Sequence, residues 1–146
     1  MKPKPHIQPF ERWHYQAMRE ISPPNGAVAD IAITYDMLLG LEKQHSYTVL
    51  VDKVPIAAGG LIRLWETHYQ AWTYMTHLAA PHILAITRAA KVGMQHVKGR
   101  ITMTTPTFYK DGIRWAQILG FEIETPVLKK WGPFGEDHVG FVKIQD

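Results

Sequence analysis

From Phe10 to Ile21 the stripe Phe10, Trp13, His14, Ala17, Met18 and Ile21 repeats at intervals of three and four. That spacing predicts a helix that buries one face. "SPPNG" (22–26) interrupts it with Pro-Pro and Asn-Gly, two strong breakers of regular structure. Asp30 then stands where its carboxylate can cap a second helix, along which Ile31, Tyr35, Leu38 and Leu39 line up. Beyond residue 46 the period shortens. "YTVLVD" (47–52), "VPIAAGGLIRLW" (54–65) and "QAWTYMT" (70–76) are rich in β-branched and aromatic residues, and the links at Asp52-Lys53 and "ETHY" suit hairpins. They predict a three-stranded antiparallel meander. Gly59-Gly60 inside its middle strand signals a bulge or a close backbone approach.

"HILAITRAAKVGMQHV" (82–97) carries Ile83, Ile86, Ala90, Met94 and Val97 on one stripe and Arg88, Lys91, Gln95 and Lys98 on another, the pattern of a half-buried helix. "RITMTT" (100–105) follows as a strand, so a strand, a helix and a strand make a parallel crossover. Asp111 is placed to cap a further helix, with Trp115, Ile118 and Leu119 on its buried face. Gly120 ends that helix because a left-handed residue lets the chain turn back, and Phe121 packs over the last turn. "EIETPVLKKWG" and "HVGFVKI" close the chain as a hairpin. The expected architecture is α+β: one domain over 1–146, with a mixed central sheet of about six strands flanked by about four helices.

A chain of 146 residues, 46% of them hydrophobic, sustains one core of ordinary size rather than two. No apolar run is long enough to span a bilayer, and "MKPKPHIQPF" lacks the apolar segment of a secretory signal, so a soluble intracellular protein without membrane partners is expected. The absence of cysteine excludes disulfides, thiolate metal sites and a thiol nucleophile. The formal charge of +3 is spread along the chain. It suits an anionic small molecule and is too diffuse to argue for nucleic acid, even through Lys91, Lys98, Arg100, Lys129 and Lys130. Eight histidines raise the question of a metal, but none forms a His-Glu-x-x-His motif or a ligand spacing with a carboxylate, so no metal is expected. Ser22 and Ser46 lie in loops without a nucleophile elbow.

The order helix, helix, three antiparallel strands, helix, strand, helix, hairpin resembles the GNAT superfamily of N-acetyltransferases over nearly the whole chain. "WAQILGFE" (115–122) looks like that superfamily's ending for its last helix. "PIAAGGLIRLW", "AWTYMT", "GIRWAQILGFEIETP" and "WGPFGEDHVGFV", taken in order, resemble the divergent GNAT-like proteins of tailed bacteriophages and prophages. Among those are proteins described as acetyltransferases and others resembling virion proteins.

The resemblance implies acetyl transfer from acetyl-CoA to an amine. The donor would lie where Tyr74 to Thr76 and the strand at 101–105 splay apart. Met75, Thr76, His77 and Leu78 would hold the pantetheine, and the amides of Ala79, Ala80, His82 and Ile83 the pyrophosphate, helped by the positive end of the following helix. The family's glycine-bearing phosphate loop corresponds here to "THLAAPHILAIT" (76–87), which has no glycine. The family's acid, a tyrosine four residues before the Gly-Phe stop, corresponds to Ala116. Tyr74 and Tyr109 are the substitute acids, with packing as the alternative role, and His77 is a base candidate near neutral pH. Asp137 and His138 form an acid–base pair on paper, with a polar hairpin turn as the plainer reading. Two functions stay open: an enzyme with acetyl-CoA and an amine acceptor as partners, in a host cytoplasm, or a non-catalytic scaffold binding phage structural proteins or a host protein, in the cytoplasm or a virion.

Overall fold

The computed structural model describes residues 3–22, 35–132 and 134–146. Its elements, in chain order, are β1 (His6–Pro9), α1 (Arg12–Ile21), α2 (Tyr35–Glu42), β2 (His45–Val51), β3 (Val54–Trp65) and β4 (His68–Met75). A 3-10 helix (His77–His82), α3 (Ile83–Met94), β5 (Gly99–Pro106), α4 (Lys110–Ile118), β6 (Glu122–Leu128) and β7 (His138–Gln145) complete the chain. The strands form a seven-stranded sheet in the order β1-β2-β3-β4-β5-β7-β6. The mixed α+β architecture is the expected one, with one strand more. β1, which the sequence pattern did not reveal, pairs antiparallel with β2 from His6↔Leu50 to Pro9↔Tyr47. The proposed cap Asp30 and its neighbour Ile31 lie outside the described residues.

The chain clusters into two compact units. The first holds the described residues up to 22, residues 35–62 and Trp72–His96. Its α1 buries His14, Tyr15 and Met18, three positions of the expected stripe or beside it, while Trp13 stays half exposed at 48%. Phe10 meets the Trp72 ring edge-on at 5.3 Å, and Tyr15 meets Tyr74 likewise at 5.5 Å. Such aromatic pairs add about 0.5–1.5 kcal/mol beyond their buried area.

Gly60 shows why the middle strand carries glycines. A Cβ there would stand 2.3 Å from the His45 carbonyl oxygen and 2.6 Å from Ser46 Cα, so β2 and β3 touch backbone to backbone. The close approach is therefore at Gly60, and the bulge lies elsewhere. Val49 faces Ala57 but Leu50 faces Pro55, which leaves Ile56 as the extra residue of β3. An extra residue bends a strand and re-aims its backbone groups.

The second unit holds Arg63–Ala71 and Val97–Asp146. Here β4 pairs parallel with β5 at His68↔Arg100, Tyr69↔Ile101 and Gln70↔Thr102, as the crossover pattern required. β5 pairs antiparallel with β7 from Gly99↔Gln145 to Pro106↔His138, and β7 with β6. The α4 N-cap is Tyr109, not Asp111, whose carboxylate sits in the first turn and makes no cap bond. An acid there still complements the helix dipole. The buried α4 residues are Ala116, at 0%, and Leu119, while Ile118 is 52% exposed and Trp115 half-buried. The helix stop is as expected: Gly120 has φ +96°, its N–H donates to the Gln117 carbonyl and that of Phe121 to the Ala116 carbonyl. This double bond pattern satisfies two orphan carbonyls, and Phe121 is buried over them.

The buried His14 is held by its neighbours. Glu11 N–H donates to Nδ1 at 3.0 Å, and Thr48 Oγ1 lies 2.8 Å from the same nitrogen. A backbone donor fixes Nδ1 as the unprotonated nitrogen, so the ring is neutral with its hydrogen on Nε2. Nε2 faces the Gln8 amide at 3.1 Å and the Glu11 carboxylate at 3.6 Å. Burial lowers the His14 pKa and outweighs the upward pull of Glu11 and Glu42.

Two outcomes follow. Gly60→Ala forces β2 and β3 apart and is expected to lower stability by about 1–3 kcal/mol in urea unfolding, as overpacking of a tight contact does. Because the folded chain depresses the His14 pKa, the unfolded chain binds the extra proton first. Stability from the neutral ring is complete above the ordinary histidine pKa of about 6.5 and is lost as pH falls below it. The fall in urea midpoint on acidification is expected to be smaller in His14→Gln than in the wild type.

Candidate functional site

The junction between β4 and α3 begins at the bulge. The carbonyl of Ile56, the extra residue, accepts both Thr76 N–H and Thr76 Oγ1–H, each at 2.9 Å. Thr76 is buried and extended, at φ −88° and ψ 168°, so it ends the strand. Its hydroxyl also accepts from Leu78 N–H at 3.2 Å, and its carbonyl accepts from Ala79 N–H at 3.1 Å. One side chain thus closes β4 and opens the 3-10 helix, the work expected of a threonine cap. Pro81 lies inside the 3-10 helix and contributes no N–H to it.

The predicted donor-binding residues all fall on this stretch. Met75 is the last residue of β4 and half-buried; His77, Leu78 and Ala80 are exposed; Ala79 is buried; His82 and Ile83 are half-buried at the entry to α3. The chain uses several of the amides itself. His77 N–H donates to Ser22 Oγ at 2.9 Å, Leu78 and Ala79 to Thr76, and Ile83 to the Ala80 carbonyl. His82 is the α3 N-cap, yet its side chain makes no cap bond, and the first turn of α3 has no acidic residue. What this entry offers an anion is therefore the helix end and two imidazoles, not a glycine cradle.

The predicted acid–base residues are separated in character. The Tyr74 ring is buried against Tyr15, and its hydroxyl donates to the Ser22 carbonyl at 2.8 Å, a packing role with its polar end satisfied. His77 is exposed, with Nδ1 2.6 Å from Ser22 Oγ. Tyr109 belongs to the second unit, half-buried at the start of α4, where its carbonyl accepts from Ile113 N–H. Ala116, at the position of the family's tyrosine, is fully buried.

The sequence offered Asp137 and His138 as an acid–base pair on paper and a polar hairpin turn as the preferred reading, and Asp137 takes the turn role. Asp137 Oδ1 accepts from Lys130 N–H at 3.0 Å and closes the β6–β7 loop. The buried His138 instead places Nε2 3.1 Å from Glu136 Oε1 and Nδ1 3.0 Å from Thr104 Oγ1. Burial pushes the Glu136 carboxyl up, but its own N–H, His138 and the Phe134 N–H outweigh this and hold it below its ordinary pKa. Glu136 and His138 are only two residues apart, so the alternation of a strand edge was a usable sign. Thr104 lies 34 residues from His138 and is brought to it by the β5–β7 register, which short-range patterns do not contain.

Among the described residues no group of three His, Asp or Glu side chains is arranged to hold a metal ion, and no helix is long and apolar enough to cross a membrane.

No protein-family profile matches the chain, and no curated protein matches it in sequence. Solved structures do. A GNAT-family acetyltransferase from Bacillus anthracis superposes with a TM-score of 0.68 at 16% identity, covering 99% of this chain and 98% of its own. The ribosomal-protein-S5-alanine acetyltransferase of Vibrio fischeri gives 0.66 at 15% identity, covering 97% and 93%. A spermidine N-acetyltransferase SpeG chimera from Vibrio cholerae and hSSAT gives 0.71 at 14% identity, covering 97% and 95%. Likeness over whole chains at such low identity is likeness of backbone, and the fold of this chain is that of the GNAT acetyltransferases.

Proposed function

We propose that the chain is an acetyl-CoA-dependent N-acetyltransferase whose donor site is the segment Met75–Ile83. The observation that carries this reading is the β4–α3 junction: a strand end pinned by Thr76, running directly into a helix whose first turn is free of acids. A pyrophosphate needs N–H donors and a positive field, and the N-terminal end of α3 supplies the field. The small exposed Ala80 leaves the approach unobstructed, His77 and His82 flank it, and Arg88 lies one turn further along α3. The resemblance assigns the pantetheine arm to the backbone of Met75 to Leu78, where the N–H groups of Thr76, His77 and Leu78 are already bonded within the chain.

Acetyl-CoA supplies an acyl carbon activated as a thioester. The residues of the chain then have to orient it and move protons. Tyr109, half-buried at the start of α4, is the substitute acid that the resemblance leaves for the leaving thiolate. Tyr74 serves the site by packing, since its hydroxyl is already committed to Ser22. The acceptor is a primary amine; the two named acetyltransferases of the same fold take different amines, so the fold does not choose between them. The divergent phage type, and with it a host-cell or virion setting, remains what the sequence resemblance implies.

Isothermal titration with acetyl-CoA tests the reading. Saturable binding is expected, together with stabilisation against heating that follows RT ln(1 + [L]/Kd), about 2.7 kcal/mol at a hundredfold excess over Kd. Ala80→Glu places a carboxylate beside the phosphates while complementing the helix dipole. Weakening of at least tenfold is expected, with an unchanged or higher melting temperature. Absence of binding by the wild type at millimolar acetyl-CoA overturns the enzyme reading and leaves the scaffold one, in a virion or on a host partner.

A further inference from the structure

The first unit carries a hollow that the donor segment does not use. Alternation along the paired strands puts His6 and Gln8 of β1 on the same face of the sheet as Leu50 and Thr48 of β2, which stand opposite them in register. α1 lies over that face, since its His14 reaches both Gln8 and Thr48. Trp13, one residue earlier on α1, joins His6, Gln8, Leu50 and Lys53 around a cavity of about 380 Å³.

The Trp13 ring is half exposed yet held at two points. Its Nε1–H donates to Glu11 Oε2 at 3.2 Å, and the His14 ring meets it edge-on at 4.3 Å. A ring fixed in advance spares a ligand the cost of ordering it. Leu50 is buried and adds a second apolar wall. The Gln8 amide is turned to Glu11 and His14. The polar groups left to a ligand are His6 and Lys53, both exposed, and neither side chain has a hydrogen bond or ion pair among the described residues.

Lys53 reaches the cavity from an uncommon backbone. Val51 pairs with Val54, so Asp52 and Lys53 alone make the β2–β3 turn, with φ +49° and +66°. Two-residue turns with positive φ favour Asn-Gly or Asp-Gly. Lysine lacks the short polar side chain with which asparagine offsets the left-handed conformation. What it brings there is an ammonium that lines the cavity.

We propose that this cavity binds a small aromatic carboxylate, its ring against Trp13 and Leu50 and its anion on Lys53 and His6. The inference stands apart from the transferase reading. The volume is at the lower end for small-molecule sites, which suits one or two fused rings. A neutral ring would leave the ammonium unused. A cationic ring is repelled by it and is better served in the second depression that borders Trp13, where Glu11 and Glu42 are the carboxylates and Arg12 already engages Glu42.

The test titrates the full chain with 2-naphthoate and follows the Trp13 indole N–H by NMR, the signal being the one missing from Trp13→Phe. Saturable displacement of that signal at submillimolar Kd is expected, with the other indole signals unmoved. The uncharged 2-naphthalenemethanol is expected to bind about fivefold more weakly, the worth of an exposed ion pair, and 2-naphthylmethylammonium more weakly still. Lys53→Asn is expected to bind 2-naphthoate about fivefold more weakly while melting at an unchanged or higher temperature, because asparagine accepts the left-handed turn. Lys53→Arg keeps the affinity. The site is overturned if the Trp13 signal fails to saturate at millimolar 2-naphthoate, or if every indole signal moves together, the mark of unspecific adsorption. It is equally overturned if the uncharged or the cationic ring binds as well as the anion, or if Lys53→Asn binds the anion unchanged. The probe series is read on the wild type and so decides the matter even where a variant is unstable.

Discussion

The carbonyl of Ile56 accepts two hydrogen bonds from one residue, Thr76, and the β4–α3 junction of the first unit is built on that contact. Ile56 reaches it because β3 carries one residue more than β2 needs between Val49 and Leu50. A regular strand would spend its carbonyls evenly on its neighbours. The bulge concentrates two donors on one oxygen, fixes the φ and ψ of Thr76, and leaves its hydroxyl positioned to receive Leu78 N–H. The 3-10 turn and the entry to α3 follow from this geometry. Losing the hydroxyl of a buried, doubly bonded threonine leaves a carbonyl short of a donor, so the contact constrains sequence as well as shape.

That constraint explains how the loop can do without glycine. A glycine-rich phosphate loop keeps its amides exposed by taking backbone conformations that other residues avoid. Here the chain takes the opposite course: Thr76 and the Ala80 carbonyl satisfy several of the same amides, and ordinary residues suffice. An anion at this junction would find few free amide donors and would lean on the helix end and the neighbouring imidazoles. Electrostatic attraction of that kind weakens with salt more than a set of directed hydrogen bonds does.

Much of this architecture was legible in the residues. Periods of 3.6 and 2 placed α1, α3 and the meander, and Gly120-Phe121 marked the α4 stop with the bonds that such a stop makes. What stayed hidden was long-range or very short. β1 is four residues long and bounded by prolines, with no period to detect, and it exists because β2 offers it a ladder. The α4 cap fell to Tyr109 instead of Asp111 because the turn after β5, closed by Tyr109 N–H on the Pro106 carbonyl, starts the helix earlier. The buried face of α4 shifted with it, from Ile118 to Ala116, where only a small side chain is accommodated at complete burial.

The two buried histidines show how environment divides one residue type between structure and chemistry. His14 has a backbone N–H on Nδ1, a donor that cannot rotate away, so protonation would break a helix-start contact and the fold keeps the ring neutral. His138 has on the corresponding nitrogen a hydroxyl, which can turn from donor to acceptor without any movement of the backbone. On its other nitrogen stands a carboxylate, held as an anion by its own N–H, by His138 and by Phe134 N–H. Protonation therefore opposes the packing around His14, while His138 carries no such backbone donor on its Nδ1 among the contacts described.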